Sequence, residues 1–411
     1  MPVTKDRYRV VFVAPTAFFY QAPIFRELEA HPRIDLMVYF CSDEAFRGDD
    51  VRIKFQTDQQ WGDNGETLKG YEYKFLKNYS PFPSYLSWPF GLMNFGAWGE
   101  IRKSKPDVVI IMSWVNITDL VTISATRLSR SSLLLMTDAN IQAEPQKSKW
   151  VTLIKTLVLK NFVFKITTGF LYTGTANKLL YQSYGVPDEK LVPFAFSWEA
   201  KDFLQQADRL RPKRMRMRAE MGISEDSFVT LFCGRLSPEK APLHLLEAFE
   251  RVESPGKELF FVGDGKLKNY LENFALERNI KSVHFLGFQN RTELGKFYTI
   301  ADAFVLPSSR EATGAVLTEA MSFGLPVIVS DKVGFGMDLV KHGSNGFIFP
   351  VGDTSALTGY ITQLMEISEE KRAQMGEQSR KLVEEWSKLD LANSLLEYLD
   401  AIHSTNGKNA G

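Results

Sequence analysis

Four charged side chains in the second half of the chain have types and spacings that could do chemistry. Glu311 and Glu319 lie eight positions apart, and Arg235 and Lys240 lie five apart. Carboxylates accept hydrogen bonds from sugar hydroxyls, whereas guanidinium and ammonium groups bind phosphate oxygens. The four residues therefore predict a site for a sugar that is joined to a phosphate.

The elements that must position the two glutamates are contained in residues 301–329, ADAFVLPSSREATGAVLTEAMSFGLPVIV. A short apolar run ends in a polar loop, a helical pattern starts at Gly314, and a second apolar run follows. Ligands of parallel sheets bind at the carboxyl ends of the strands, where helix N-termini attract anions.

We expect Glu311 to contact a hexose and Glu319 a ribose. The alternative is that Glu311 caps the helix and Glu319 lies on its solvated face. The predicted diphosphate contacts are the backbone amides of Ala312, Thr313, Gly314, Ala315 and Val316.

Gly234 and Arg235 close the first predicted strand of the second domain, and Lys240 follows in the same loop. A fixed guanidinium and a flexible ammonium suit a diphosphate leaving group, on which negative charge develops. The alternative is a surface arginine and lysine that flank Glu239.

Five segments in order carry a family resemblance. They are GRLSPEKAPLHLLEAF (234–249), FVGDG (261–265), VHFLGF (283–288), residues 301–329, and HGSNGFIFP (342–350). Together they resemble retaining, nucleotide-sugar-dependent glycosyltransferases of the GT-B fold, in the family 4-like group with a Glu-x7-Glu motif. The resemblance implies two Rossmann-like α/β domains facing a central cleft. It also implies hexosyl transfer with retention of configuration and no metal ion.

The same resemblance assigns further residues. The donor would be a UDP- or GDP-sugar acting as co-substrate, with no cofactor, and its base would lie near Gly287 and Phe288. Asp138 would stand where the family often has a histidine near the reacting sugar; the alternative is a helix N-cap. Ala241 departs from the family's usual glycine. The loop Pro15–Pro23 also lacks the family's glycines, which allow the backbone to approach a phosphate closely.

Length and composition limit the class of protein. The chain has 411 residues, 44% hydrophobic and 24% charged, with 49 basic and 49 acidic side chains. This composition predicts two globular domains and gives no global charge for nucleic acid binding. The cysteines, Cys41 and Cys233, are expected to be buried and reduced.

With no signal peptide or spanning segment visible, we expect a cytoplasmic protein. The predicted ranges are 1–198 for an acceptor-binding domain, 199–385 for a donor-binding domain, and 386–411 for a helix that crosses back.

Two apolar stretches and one basic stretch could contact a membrane. Residues 78–98 combine many aromatics with three prolines, 147–165 mix lysines with apolar residues, and 209–218 read RLRPKRMRMR. One interpretation places the first two in core helices and edges, and the third in a solvated helix. The other is a surface for anionic lipid that receives a saccharide or lipid-linked acceptor, at the inner face of the membrane.

Other functions remain open from sequence. A nucleotide-sugar epimerase or a sugar phosphorylase could use this architecture, although no cofactor lysine context for a phosphorylase is visible. A non-catalytic sugar-nucleotide-binding scaffold is a third class. The presence of Arg235, Lys240 and Glu311 favours a transferase, whose product would belong to a cell-surface polysaccharide or glycolipid.

Overall fold

The computed structural model describes residues 5–44, 67–142, 159–194 and 198–408. Its strands form a seven-stranded sheet in the order β3-β2-β1-β4-β5-β6-β7 and a six-stranded sheet in the order β10-β9-β8-β11-β12-β13. The strands are β1 (Tyr8–Ala14), β2 (Ile34–Phe40), β3 (Tyr73–Phe75), β4 (Val108–Ile111), β5 (Ser132–Met136), β6 (Gly169–Tyr172), β7 (Leu191–Pro193), β8 (Phe228–Cys233), β9 (Lys257–Val262), β10 (Val283–Phe285), β11 (Ala303–Leu306), β12 (Val327–Ser330) and β13 (Gly346–Phe349).

Every strand pair is parallel. Helices cover both faces of each sheet, so the central strands are buried on both sides and are almost continuously apolar. The helices are α1 (Ala22–Ala30), α2 (Gly96–Ser104), α3 (Ile117–Leu128), α4 (Phe164–Ile166), α5 (Thr175–Ser183), α6 (Trp198–Leu210), α7 (Arg214–Glu220), α8 (Pro242–Glu250), α9 (Lys268–Glu277), α10 (Arg291–Ile300), α11 (Ala315–Ser322), α12 (Gly336–Leu339), α13 (Thr354–Glu366), α14 (Glu369–Trp386) and α15 (Leu391–Lys408).

The prediction of two doubly wound α/β domains is confirmed. Strands β3 and β7 each have only three residues. Both are edge strands, and β7 ends at a proline, which cannot donate a ladder hydrogen bond.

The last helix, α15, lies on the first domain rather than on the second. Its residues Leu395 and Leu399 are fully buried in the core that contains β1 and α1. Asp400 accepts hydrogen bonds from the Tyr8 hydroxyl at 2.8 Å and from the Arg33 guanidinium at 2.8 Å. The preceding helix α14 packs on the second domain, so the end of the chain joins the two domains.

The stretch 78–98 is mostly an irregular segment between β3 and α2, not a core helix. Several of its large side chains are exposed to solvent: Tyr79, Phe82, Leu86, Trp88, Phe90, Phe95 and Trp98. The core-helix part of that interpretation is therefore wrong for this stretch, although Leu92 and Ala97 are buried in the core of the first domain. Most of the other apolar stretch, 147–158, lies outside the described residues.

The basic stretch 209–218 is not simply a solvated helix. The Arg214 and Arg218 guanidinium groups bind Asp302 at 2.7 and 3.0 Å, and the Arg218 side chain is only 3% exposed. Arg218 also donates to the carbonyls of Ile300 and Ser224. Because buried charges must be paired, these arginines fix α7 to the second domain and are not available to lipid.

Candidate active site at the carboxyl ends of the second sheet

The loops that follow β8, β9 and β10 approach each other closely. The amide of Gly234 donates to the Val262 carbonyl at 2.9 Å, and the amide of Gly263 donates to the Gly287 carbonyl at 2.8 Å. A Cβ on Gly263 would lie 1.9 Å from the Gly234 carbonyl oxygen, so only glycine fits there. Gly287 and the half-buried Phe288 thus lie at the same edge as Gly234.

Lys240 and Glu311 meet at this edge although they are 71 positions apart. The Lys240 ammonium binds the Glu311 carboxylate, which the Ser308 hydroxyl also approaches at 3.4 Å. The two loops are tied together because the amides of Ser309 and Arg310 donate to the Glu239 carbonyl at 2.8 and 3.2 Å. Glu311 therefore faces a cation and does not cap the following helix.

Arg235 begins the same loop and pairs with Glu239 at 3.3 Å. The sequence left open that this arginine simply flanks Glu239, and the structure does show the two side chains in contact. Partial burial raises the pKa of Glu239, but hydrogen bonds from its own amide and from Ser237, together with the charge of Arg235, lower the pKa by more. The net effect is a lowered pKa. The side chains of both partners are about one-third exposed, so a stronger anion can compete for the guanidinium.

The start of α11 supplies backbone donors beside this pair. Gly314 adopts a left-handed conformation with φ 88°, which turns the chain into the helix. Ala315 and Val316 are the first helical residues, and N–H groups in the first turn point out of the helix start. Ala312 and Thr313 form the approach, where the Phe335 amide donates to the Thr313 carbonyl at 2.9 Å. This arrangement can bind an anion.

Glu319 lies inside α11 and is only 8% exposed, so the solvated-face alternative is wrong. Its carboxylate accepts a hydrogen bond from the Tyr298 hydroxyl at 2.8 Å. Burial raises the pKa of Glu319, while the Tyr298 hydrogen bond and the charge of Arg291 act in the opposite direction. A buried carboxylate at this edge can accept hydrogen bonds from a polar ligand.

The first domain contributes Asn140 to the same place. Its side-chain amide donates to the Glu311 carbonyl at 3.0 Å and also to the Ala312 carbonyl. Asp138 lies two residues earlier in the same loop and is exposed. The structure thus brings Asn140 to the Glu311 loop, and the assignment of Asp138 to the reacting sugar stays a prediction.

A second contact between the domains lies nearby. The Asp338 carboxylate of α12 accepts from the Thr175 amide at 3.0 Å and from the Thr175 hydroxyl at 2.5 Å. Thr175 is the first residue of α5, so a side chain of the second domain caps a helix of the first. Together with Asn140, this contact fixes the edges of the two sheets relative to one another.

Sequence reasoning missed Asn140, Asp338 and Tyr298. Asn140 stands in TDANIQ directly after a predicted strand, which is a position where site residues occur in parallel sheets. Tyr298 and Asp338 carry no such signal, because each meets its partner only through the folded arrangement.

In the part of the chain that the structure describes, no cluster of three or more His, Cys, Asp and Glu side chains could hold a metal ion. No helix among those residues has the length and apolarity required to cross a membrane.

Comparison with known proteins finds a family match in the second domain. The family described as "Glycosyl transferases group 1" matches residues 213–382. An uncharacterized glycosyltransferase of Methanocaldococcus jannaschii is 35% identical over 150 residues, which are 36% of this chain and 38% of the relative. The Escherichia coli UDP-Gal:alpha-D-GlcNAc-diphosphoundecaprenol alpha-1,3-galactosyltransferase is 34% identical over 157 residues, 37% of this chain and 39% of the relative. The match to each of these relatives thus spans about two fifths of its length.

The likeness in three dimensions extends over both domains. The crystal structure of Anabaena HepE in complex with UDP covers 96% of this chain and 100% of its own, with a TM-score of 0.72 and 17% sequence identity. An identity this low shows the fold, which is GT-B. Residues 213–382 match the model of the group 1 glycosyl transferases, and the chain as a whole has the GT-B fold.

Proposed function

We propose that this protein transfers a hexosyl group from a nucleoside diphosphate sugar to an acceptor hydroxyl, with retention of configuration. The observation that carries this proposal is the meeting of Lys240, Glu311 and the start of α11 at the carboxyl ends of β8 and β11. A cation, a carboxylate and helix amides at one point match a sugar joined to a diphosphate.

The charges assign roles in the reaction. As the bond between the anomeric carbon and the diphosphate oxygen breaks, Arg235, Lys240 and the first amides of α11 stabilise the departing negative charge. The acceptor oxygen bonds to the anomeric carbon from the same face, and its proton passes to the leaving phosphate. Glu311 orients the sugar by accepting hydrogen bonds from its hydroxyls. Because protein groups supply this positive charge, we propose that no divalent cation is required.

The nucleoside lies further along the same edge in this proposal. Glu319 accepts a hydrogen bond from a ribose hydroxyl, and the base rests near Gly287 and Phe288. UDP and GDP both fit this description. The complex of Anabaena HepE with UDP on the same fold supports a uridine nucleotide as the first to test.

The exposed aromatics of 78–98 support a lipid-linked acceptor. They follow β3, so they lie at the carboxyl edge of the first sheet, the edge from which Asn140 reaches the donor loop. No acidic residue occurs between Glu72 and Glu100 in the sequence, and the Glu44 carboxylate, which accepts hydrogen bonds from the Ser84 hydroxyl and the Tyr85 amide, is buried. Exposed aromatic side chains in a segment that has no acidic residue of its own suit the interface of a membrane with anionic lipids. We propose that this edge contacts the inner face of the membrane during polysaccharide or glycolipid synthesis.

The test is a panel of UDP- and GDP-sugars, with and without polyprenyl phosphosugar, diacylglycerol and saccharide acceptors, in excess EDTA. We expect one donor to be consumed with formation of a new glycoside, whose anomeric configuration NMR shows to be that of the donor. Interconversion of nucleotide sugars without an acceptor would indicate an epimerase. Binding without turnover would indicate a scaffold. Inversion, or activity restored only by Mg²⁺ or Mn²⁺, would overturn the proposed mechanism.

A further inference from the structure

Two further polar side chains are buried behind Glu319. The Tyr298 side chain of α10 is fully buried at 1% exposure, and its hydroxyl donates to Glu319 at 2.8 Å. The buried thiol of Cys233, the last residue of β8, lies beside the same hydroxyl. Three elements thus place one polar side chain each beneath the loops that carry Arg235 and Glu311.

The packing of the Tyr298 ring does not depend on its hydroxyl. The ring stacks on Phe323 with centroids 5.4 Å apart, and Phe203 meets it edge-on at 6.4 Å. A phenylalanine would make the same ring contacts. The hydroxyl therefore has a polar role, because a buried carboxylate needs hydrogen-bond donors to remain ionised.

We propose that Tyr298 is a positioning residue for the donor nucleotide, which holds the Glu319 carboxylate ionised and oriented to accept a ribose hydroxyl. This inference rests on the proposed function and deepens it, because it assigns the orientation of Glu319 to a side chain in another helix. A carboxylate has several acceptor positions, so the bond from Tyr298 leaves Glu319 the capacity to accept others.

The groups that face Glu319 determine how its ionisation, and therefore UDP binding, should change with pH. Burial raises the pKa of Glu319, and Tyr298 and the more distant Arg291 lower it. Cys233 and Tyr298 stay neutral, since burial raises the pKa of Cys233 to about 12 and that of Tyr298 well above its usual value. Lys240 is near enough to affect Cys233. Removing the Tyr298 hydroxyl removes a hydrogen bond that favours ionised Glu319, so the Glu319 pKa must rise.

The experiment measures UDP binding by calorimetry from about pH 5 to about pH 8, with GDP alongside. The variants are Tyr298→Phe, Glu319→Gln and the double variant, with Tyr360→Phe as a control for loss of a tyrosine hydroxyl in the same domain. We expect Tyr298→Phe to weaken UDP binding about tenfold near neutral pH. Its loss of affinity on acidification should occur at higher pH than in the wild type. The double variant should bind like Glu319→Gln, and kcat at saturating donor should change little.

The outcomes separate this inference from the proposed function. If Glu319→Gln weakens UDP binding but Tyr298→Phe matches the wild type at every pH, the positioning role of Tyr298 is wrong. If Glu319→Gln leaves UDP binding unchanged, the ribose assignment itself fails. A fall in kcat alone for Tyr298→Phe would also overturn the inference. Melting temperatures near that of Tyr360→Phe show that the effects do not come from unfolding.

Discussion

The two domains present the same edge of the same kind of sheet, but with opposite chemistry. In the second domain the carboxyl edge carries Lys240 and Glu311 bound to each other, with Glu319 buried against Tyr298. In the first domain the corresponding edge carries exposed aromatics, with Phe82 69% and Trp88 65% exposed. One edge holds charges in fixed positions, and the other exposes apolar surface.

This difference agrees with the two tasks that we propose for the two edges. A diphosphate sugar needs fixed charges and directed hydrogen bonds, which require buried, paired side chains. A lipid surface needs only apolar area and no opposing charge, which an irregular exposed segment can provide. The contacts of Asn140 with the Glu311 loop and of Asp338 with Thr175 keep the two edges facing each other.

The largest effect is expected when the charged edge loses its cations. Arg235→Ala and Lys240→Ala should each lower kcat/KM roughly thirty- to a thousandfold, about 2 to 4 kcal/mol of transition-state stabilisation, because the leaving diphosphate loses a charge-assisted contact. Steady-state kinetics with the donor found in the panel measures this. Arg278→Ala, which removes a surface charge of the same domain beside Glu250, is the control and should remain active. A double variant with wild-type turnover would disprove the assignment.

The next prediction concerns a buried acid in a helix of each domain: Asp119 in α3 is compared with Glu319 in α11. Burial raises the pKa of Asp119 to about 6, against the lowering effect of hydrogen bonds from the Asn116 amide and other groups near the helix start. A carboxyl whose pKa is higher in the folded state stabilises the fold when protonated. Its contribution is therefore present below the unfolded pKa of about 4 and is lost as pH rises through about 6.

Asp119→Asn removes this titration but keeps the size of the side chain. The unfolding free energy of the wild type minus that of the variant should fall by about 2 to 3 kcal/mol between about pH 4 and about pH 7. Urea denaturation at a series of pH values measures the difference, and other titrating groups cancel in the subtraction. A difference that is flat with pH would show that Asp119 is not protonated in the folded protein.

The aromatic edge is tested with Trp88→Ser combined with Phe90→Ser. Loss of these exposed rings should weaken binding to phosphatidylglycerol vesicles about ten- to a hundredfold, because each ring contributes apolar area at the interface. Co-sedimentation gives the partition coefficient. Leu276→Ser, which removes an exposed apolar side chain from α9 of the second domain, should bind like the wild type. Failure of the wild type to sediment with anionic vesicles even at low salt would refute membrane contact.

The sequence predicts the parallel sheets well because buried strands such as β8 and β11 are short apolar runs with clear stops. It also indicates Lys240 and Glu311, since loops after such strands are where ligands bind. It does not reveal that these two side chains pair, because their contact depends on how separate loops approach. For the same reason Asn140 is missed: its partner is a backbone carbonyl in the other domain.

The smallest effect concerns Ala241, which directly follows Lys240. Its backbone is left-handed, with φ 48°, at the residue before α8 begins. This conformation costs a residue with a Cβ about 1 to 2 kcal/mol, whereas glycine adopts it readily and loses about 0.5 to 1 kcal/mol through greater freedom when unfolded. Ala241→Gly should therefore stabilise the protein by about 0.5 to 1 kcal/mol in denaturant titrations. Ala373→Gly, in the exposed interior of α14, should instead cost about 1 kcal/mol.

Because the glycine at position 241 retains the turn that presents Lys240, kcat/KM should stay within about twofold of the wild type, less than 0.5 kcal/mol. A more stable variant with much lower activity would mean that the Ala241 methyl group, buried beside the site, positions Lys240.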